Sequence, residues 1–279
     1  MRPAAIALCL ALLLAAASPA LDLAHAVVVA PATLTRPESK AVTLLIEEVE
    51  KRTQIRWPTA PSPAAGRPAI VLARTAPGGP AEGFSLRIEP ARVTVTGNDP
   101  RGILFGCGRL LRELHMSRGA VSVPDDFRLT TAPQYPLRGH QLGYRPKTNS
   151  YDGWSLPMWE QYIRDLAVFG TNAIELIPPR SDDDADSPHF PLPPMQTMIG
   201  MSKLAADYGL DVWIWYPAMD EDYSKSQTVD FALREWGDVF KKLPRVDAVF
   251  VPGGDPGHTP PQHLMALLEA DPKSPPLSS

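Results

Sequence analysis

The sequence predicts an α/β protein in two parts, a small α+β domain followed by a partial (β/α)8 TIM-type barrel of about four βα units. Three observations predict it. Between residues 84 and 95 apolar and polar residues alternate on both sides of a short turn, the pattern of a β-hairpin. The hairpin runs directly into an amphipathic helix with a capping residue in front of it. From Tyr135 onward short β-rich runs and helical periods alternate four times in one order, which parallel strands with helices outside the sheet accommodate.

The first residues read as an export signal. Arg2 is followed by the apolar run Ala4 to Ala17, and Ala24-His25-Ala26 has the A-x-A form of a processing site, so residues 1–26 are expected to be a signal peptide. The apolar run is shorter than the roughly 20 residues that a spanning helix needs. A secreted or periplasmic location is expected, with no membrane association after cleavage. Cys9 falls inside the signal, which leaves Cys107 as the one thiol of the processed chain and excludes an internal disulfide. Flanked by apolar residues on a helix, Cys107 is expected to be packed rather than nucleophilic.

Val27-Val28-Val29 reads as a strand. Pro37 to Thr53 reads as an amphipathic helix with Val42, Leu45, Ile46 and Val49 on one face. Trp57 to Pro68, rich in Pro, Ala and Gly, reads as a loop, and Ala69 to Ala73 as a short buried strand. Phe84 to Ile88 and Val93 to Val95 form the hairpin around Glu89-Pro90-Ala91-Arg92. Asp99 then caps a helix from about Pro100 to His115 that buries Ile103, Leu104, Leu110, Leu111 and Leu114.

In the second part, Leu137 to Leu142, Asn172 to Ile177, Asp211 to Tyr216 and Val246 to Val251 are the expected strands. Leu156 to Phe169, Met195 to Tyr208 and Thr228 to Leu243 are the expected helices. A full barrel takes about 250 residues. The stretch from Tyr135 supplies roughly 145, so the sequence reads as part of a barrel, with a solvated tail from Asp271 to Ser279. A truncated or fragmentary enzyme is expected, and the alternative is a half barrel that closes by pairing with another chain. Domain boundaries are set at 27–131 for the small domain and 132–270 for the barrel part.

Composition excludes some functions. The net charge of -4 comes from mixed signs, so no basic field for nucleic acid exists. His258 and His263 lack the spacing and partners of a zinc site, and the contiguous run Asp182-Asp183-Asp184 with Asp186 lacks the spaced ligands of a calcium loop. No cofactor and no metal are expected.

The hairpin region carries a resemblance. Glu82-Gly83-Phe84-Ser85-Leu86, Val93-Thr94-Val95, Asp99 through Gly106 and Leu110-Leu111 together resemble the small domain that precedes the catalytic barrel in β-N-acetylhexosaminidases of glycoside hydrolase family 20. The resemblance covers roughly residues 27–131. Related domains precede the barrels of α-glucuronidases, so an α-glucuronidase-type enzyme is a related reading. In the barrel part Arg138-Gly139 resembles the family's Arg-Gly, whose arginine holds a sugar hydroxyl; the competing reading of Arg138 is a surface ion pair. Val251-Pro252-Gly253-Gly254-Asp255-Pro256 resembles the family's His-x-Gly-Gly-Asp-Glu. The resemblance implies that Asp255 positions a substrate acetamido group, although a plain tight turn is the competing reading. Pro256 stands where the general acid belongs and cannot transfer a proton, so the acid must come from elsewhere.

Glu175, an acid inside a buried strand, is the expected second catalytic residue. Asp220-Glu221-Asp222 reads as a solvated loop. Trp213, Trp215, Tyr216, Tyr144, Tyr151 and Trp154 place aromatic faces near strand ends, where sugar rings stack. Trp215 and Tyr144 are the expected sugar contacts, with core packing claiming at least one of Trp213 and Trp215 because strand neighbours point apart. His140 and His258 complete the expected substrate contacts. The function that follows is an exported glycoside hydrolase, or a fragment of one. The alternative is a non-catalytic carbohydrate-binding protein derived from such an enzyme. Carbohydrate is the expected partner, and self-association through the open half-barrel is expected as well.

Overall fold

The computed structural model describes residues 20–76, 78–142, 153–180, 191–252 and 259–270. The chain forms two compact units. One comprises the residues up to Thr33 together with Val42–Ala132, and the other comprises Leu34–Ala41 with the residues from Pro133 onward.

The first unit begins earlier than Val27. Strand β1 (Ala20–Asp22) pairs antiparallel with β8 (Ala120–Pro124), which also pairs with β7 (His115–Ser117). The β7–β8 hairpin turns at Arg118-Gly119, where Gly119 takes a left-handed φ of 75°. A second sheet has the order β3-β2-β4-β6-β5-β9, with β2 at Val27–Val29, β3 at Thr59–Ala60, β4 at Ala69–Arg74, β5 at Phe84–Glu89, β6 at Arg92–Gly97 and β9 at Arg128–Thr131. Helix α1 (Arg36–Thr53) follows β2, and α2 (Pro100–Glu113) packs on β4, β5 and β6. The expected hairpin is β5–β6, turning through Pro90 and Ala91, the latter at φ 59°. Proline followed by a left-handed residue is the dihedral sequence of a type II turn.

The capping of α2 is as the sequence predicts. The Asp99 carboxylate accepts from the Gly102 backbone N–H at 2.8 Å and from the Glu82 N–H at 2.6 Å, so one side chain ties the helix start to the loop before β5. The helix lies close to its sheet because its first turn carries glycine: a Cβ on Gly102 would stand 2.3 Å from the Gly83 carbonyl oxygen. Cys107 lies fully buried in this helix, and burial pushes its thiol up to about 12. Strands β3, β7, β8 and β9 were not among the expected elements. Strands β3, β7 and β9 are short, and β9 is mostly exposed, so they carry little apolar alternation to read, whereas β8 does alternate, with Val121 and Val123 buried.

The second unit alternates strand and helix: β10 (Gly139–Gln141), α3 (Leu156–Val168), β11 (Ala173–Leu176), α4 (Pro194–Tyr208), β12 (Asp211–Trp215), α5 (Ser226–Lys242), β13 (Ala248–Phe250) and α6 (Pro261–Ala270). The four strands form one all-parallel sheet in chain order, β10-β11-β12-β13. Helix α6 lay beyond the expected elements. On one sheet face Ile174, Leu176, Val212 and Ile214 are fully buried, and α4 packs on β11 and β12. The opposite face carries Gln141, Glu175, Trp213, Trp215 and Phe250 and is only partly covered.

The N-terminal ends of these strands are pinned by charge. Arg245 donates to Asp211 at 2.6 Å and to Asp247 at 2.9 Å, and Asp247 in turn accepts from the Val212 backbone N–H at 2.7 Å. Asn172 bonds the backbone of Pro136 and Arg138 at 2.7 and 2.8 Å. The base of the sheet is therefore held rigidly, and the C-terminal strand ends are left to the loops that follow them.

Candidate functional site

In parallel βα folds the loops at the C-terminal strand ends build the active site. In the second unit the strands end at Gln141, Leu176, Trp215 and Phe250. Asp255, His258 and Tyr144, expected at this face, lie outside the described residues.

Glu175 is where the sequence expects it, one residue before the end of β11. Register puts it beside Gln141 of β10 and Trp213 of β12, so that polar, acidic and aromatic side chains form one row on the partly covered face. Burial raises the Glu175 carboxyl above the ordinary carboxylate range, and a hydrogen bond with the Gln141 side chain partly offsets the rise. A half-buried carboxyl held toward its protonated form is suited to donating a proton.

The expectation that Trp213 and Trp215 point to opposite faces does not hold. They are two residues apart, and a strand's period of two puts them on the same face. Trp215 is 5% exposed and Trp213 half-buried, so Trp215 is the packed member and Trp213, beside Glu175, is the more accessible ring.

Arg138 and His140 are placed away from this row. Arg138 precedes β10, and its guanidinium donates to the Gly170 and Tyr135 carbonyls at 2.7 and 2.8 Å. Those carbonyls lie before the starts of β11 and β10, at the end of the sheet opposite to the candidate site. These contacts fasten the base of the sheet. His140 alternates with Gln141 onto the helix-covered face. There its ring meets Tyr162 of α3 edge-on, with Nε2 3.0 Å from the phenol oxygen. It packs the helix layer and does not face the Glu175 row.

A polar cluster that the sequence reading did not assemble lies beyond β11 and β12. Arg180 pairs with Asp220 and, at 2.9 Å, with Glu235 of α5; the Tyr223 hydroxyl donates to Asp220 at 3.0 Å. The pairing holds Arg180 firmly in its charged form, above the ordinary guanidinium value despite its partial burial. Asp220 is thus a clamp residue rather than a solvated one. Asp222 is partly exposed and pairs with Lys225 at 3.2 Å, and hydrogen bonds from Ser224 hold its carboxyl down to about 2. Tyr216 packs against Trp236 with ring centroids 4.6 Å apart, and its buried hydroxyl has no hydrogen-bond partner among the described residues. Burial raises that phenol well above its ordinary value. An arginine four residues past a strand carries no sequence period, which is why the clamp escaped notice.

Among the described residues no three His, Cys, Asp or Glu side chains are grouped to hold a metal ion, and no helix is long and apolar enough to cross a membrane. In the first unit an open pocket of about 530 Å³ lies between the 63–69 loop and the β5–β6 turn, and it contains none of the candidate residues.

The fold defines a hexosaminidase-like second domain followed by a partial barrel. Residues 15–126 match the family model Glycosyl hydrolase family 20, domain 2. Solved structures similar to the chain include the family 20 β-N-acetylhexosaminidase of Streptomyces coelicolor A3(2), with 17% identity, a TM-score of 0.70, and coverage of 91% of this chain and 60% of that one. A mutant Streptomyces plicatus β-hexosaminidase in complex with the product GlcNAc aligns at 18% identity with a TM-score of 0.68, covering 91% and 59%. The family 20 exo-β-N-acetylglucosaminidase of Vibrio harveyi aligns at 13% identity with a TM-score of 0.63, covering 91% and 47%. The chain thus spans between about half and three fifths of the length of these structures, and at such identities the likeness is one of fold. No curated protein matches the sequence.

Proposed function

We propose that this chain is an exported glycoside hydrolase, or a portion of one, in which Glu175 is the general acid. The observation that carries the reading is the placement of Glu175: half-buried, with its carboxyl held toward the protonated form, in register with Trp213 on the partly covered face of a parallel sheet. A sugar ring stacked on Trp213 would bring its glycosidic oxygen toward Glu175. Proton transfer to that oxygen lets the bond to the anomeric carbon break, and water supplies the hydroxyl that the carbon gains. Asp255, five residues beyond Phe250 in the sequence, is the proposed second carboxylate.

A non-catalytic carbohydrate-binding role is the second reading, and Pro256 favours it, because it removes the acid from the position next to Asp255. The same substitution makes acetamide-assisted cleavage of aryl N-acetylglucosaminides an unfavoured reaction for this chain. The deciding experiment offers the purified protein a panel of aryl glycosides, including hexosaminides and glucuronides, and a panel of oligosaccharides. Turnover is measured alongside binding by calorimetry. Turnover that Glu175→Gln abolishes while binding persists supports the hydrolase. Binding without turnover supports the second reading, and absence of both overturns the carbohydrate assignment.

A further inference from the structure

Export requires a cut, and the fold of the first unit argues against the cut expected after Ala26. The residues just before that bond are part of the folded unit. Ala20, Leu21 and Asp22 pair with Pro124, Val123 and Ser122. Leu23 is fully buried; its N–H donates to the Val121 carbonyl at 2.9 Å, and its carbonyl accepts from the Trp57 indole N–H at 2.8 Å. Ala26 is also fully buried, and its N–H donates to the Leu23 carbonyl at 3.0 Å.

A chain starting at Val27 would lack all of this. Trp57, 1% exposed, would keep a buried indole N–H with its partner gone, at the cost of an unsatisfied donor. The volume of Leu23 would be left as a cavity. Strand β8 would lose one of its two neighbours and present an unpaired edge.

We propose that signal peptidase hydrolyses the bond between Ala17 and Ser18. Water adds across that peptide bond to leave the Ala17 carboxylate on the signal and a new amino terminus at Ser18. The sequence before it holds all three parts of a signal: Arg2 as the basic start, the uninterrupted apolar run from Ala4 to Leu14, and the small residues Ala15-Ala16-Ala17 in A-x-A form. A cut there leaves β1, Leu23 and Ala26 intact. The inference rests on the proposed export of the chain, and the test separates the two.

The full chain with a C-terminal tag is produced in a bacterial host, and the tagged protein from the cytoplasmic, periplasmic and culture fractions is taken for N-terminal sequencing and intact mass. A periplasmic or secreted protein starting at Ser18 is expected. A start at Val27 overturns the assigned cut and leaves export standing, whereas an uncut cytoplasmic chain starting at Met1 overturns both. Ala17→Phe is expected to abolish or slow processing at least tenfold in a pulse-chase, and normal processing of that variant would overturn the assignment. Independently, chains starting at Ser18 and at Val27 are produced without export and melted. The shorter chain is expected to melt lower by about 5 °C or more, or not to fold, and equal melting temperatures would remove the structural premise.

Discussion

Replacing Glu175 by glutamine separates a catalytic acid from a structural one. Glutamine keeps the shape and can still bond Gln141, so no cavity opens. The carboxyl is held above its ordinary range by burial, and no cation among the described residues draws it down. A carboxyl raised in the folded state binds more protons there than in the unfolded chain, so its contribution to stability falls as pH rises from the ordinary carboxylate range through the raised value. Below that window Glu175→Gln should leave stability within about 0.5 kcal/mol of the parent, as for a substitution that breaks no contact. Above it, at neutral pH, the variant should be at least as stable, because the penalty for holding an anion in a half-buried place is gone. Activity should move the other way. Loss of a general acid costs about 100- to 10,000-fold in rate, or roughly 3 to 5 kcal/mol of barrier. The assay is kcat/KM on the best substrate of the glycoside panel as a function of pH, with urea unfolding at about pH 4 and pH 7.5. The parent's activity should fall on an alkaline limb set by Glu175 above the ordinary carboxylate range, and the variant should lack that limb. Activity within tenfold of the parent, or a neutral-pH stability lower by more than about 1 kcal/mol, would refute the assignment.

Other expectations follow from single contacts. Cys107, with its thiol pushed up to about 12 and no exposure, should resist a thiol reagent in the folded protein at neutral pH and react at once in denaturant; rapid labelling of the native chain would contradict its burial. Gly102→Ala should destabilise the first unit by about 1–2 kcal/mol, since a Cβ 2.3 Å from the Gly83 carbonyl forces backbone movement that outweighs the helix-propensity gain of about 1 kcal/mol. Gly237→Ala in α5 meets nothing within 4 Å and should stabilise by about 1 kcal/mol, so that urea titrations of the two variants shift in opposite directions. Strands β10 and β13 bound the sheet among the described residues, and Val249 and Phe250 on β13 are 38% and 48% exposed. Concentration-dependent association in size-exclusion chromatography is expected, and a monomer at all concentrations would count against it.

The elements legible in the sequence were those with long periods or explicit punctuation. Asp99 followed by Pro100 marked the start of α2, and the alternation on either side of Pro90-Ala91 marked the β5–β6 hairpin. Strands β11, β12 and β13 were legible because each is a short, mainly apolar run beside an amphipathic helix. The short pieces were not. Strand β1 lies just before Ala24-His25-Ala26, which satisfies a peptidase pattern and also forms a turn that buries Ala26. At the site, Glu175 was legible as an acid in an apolar strand. For Arg138 and His140 the sequence gives a residue type and not the end or face of the sheet on which the side chain lies: Arg138 donates to carbonyls at the base, and His140 meets Tyr162 in the helix layer.

The charges at the upper end of the sheet divide into two kinds, and the division decides which can do chemistry. Asp220 and Glu235 share Arg180, and Asp220 also accepts from Tyr223. Both carboxylates are committed to one partly buried guanidinium, which would lose half its compensation if either were removed. They are placed to tie the residue after β11 to the residues after β12 and to α5. Glu175 has the opposite surroundings: an uncharged amide on one side, an indole on the other, and burial that favours the neutral form. The same sheet therefore supplies a fixed frame from its paired acids and a titratable group from its unpaired one. The proposed chemistry follows from that contrast more than from the likeness in fold.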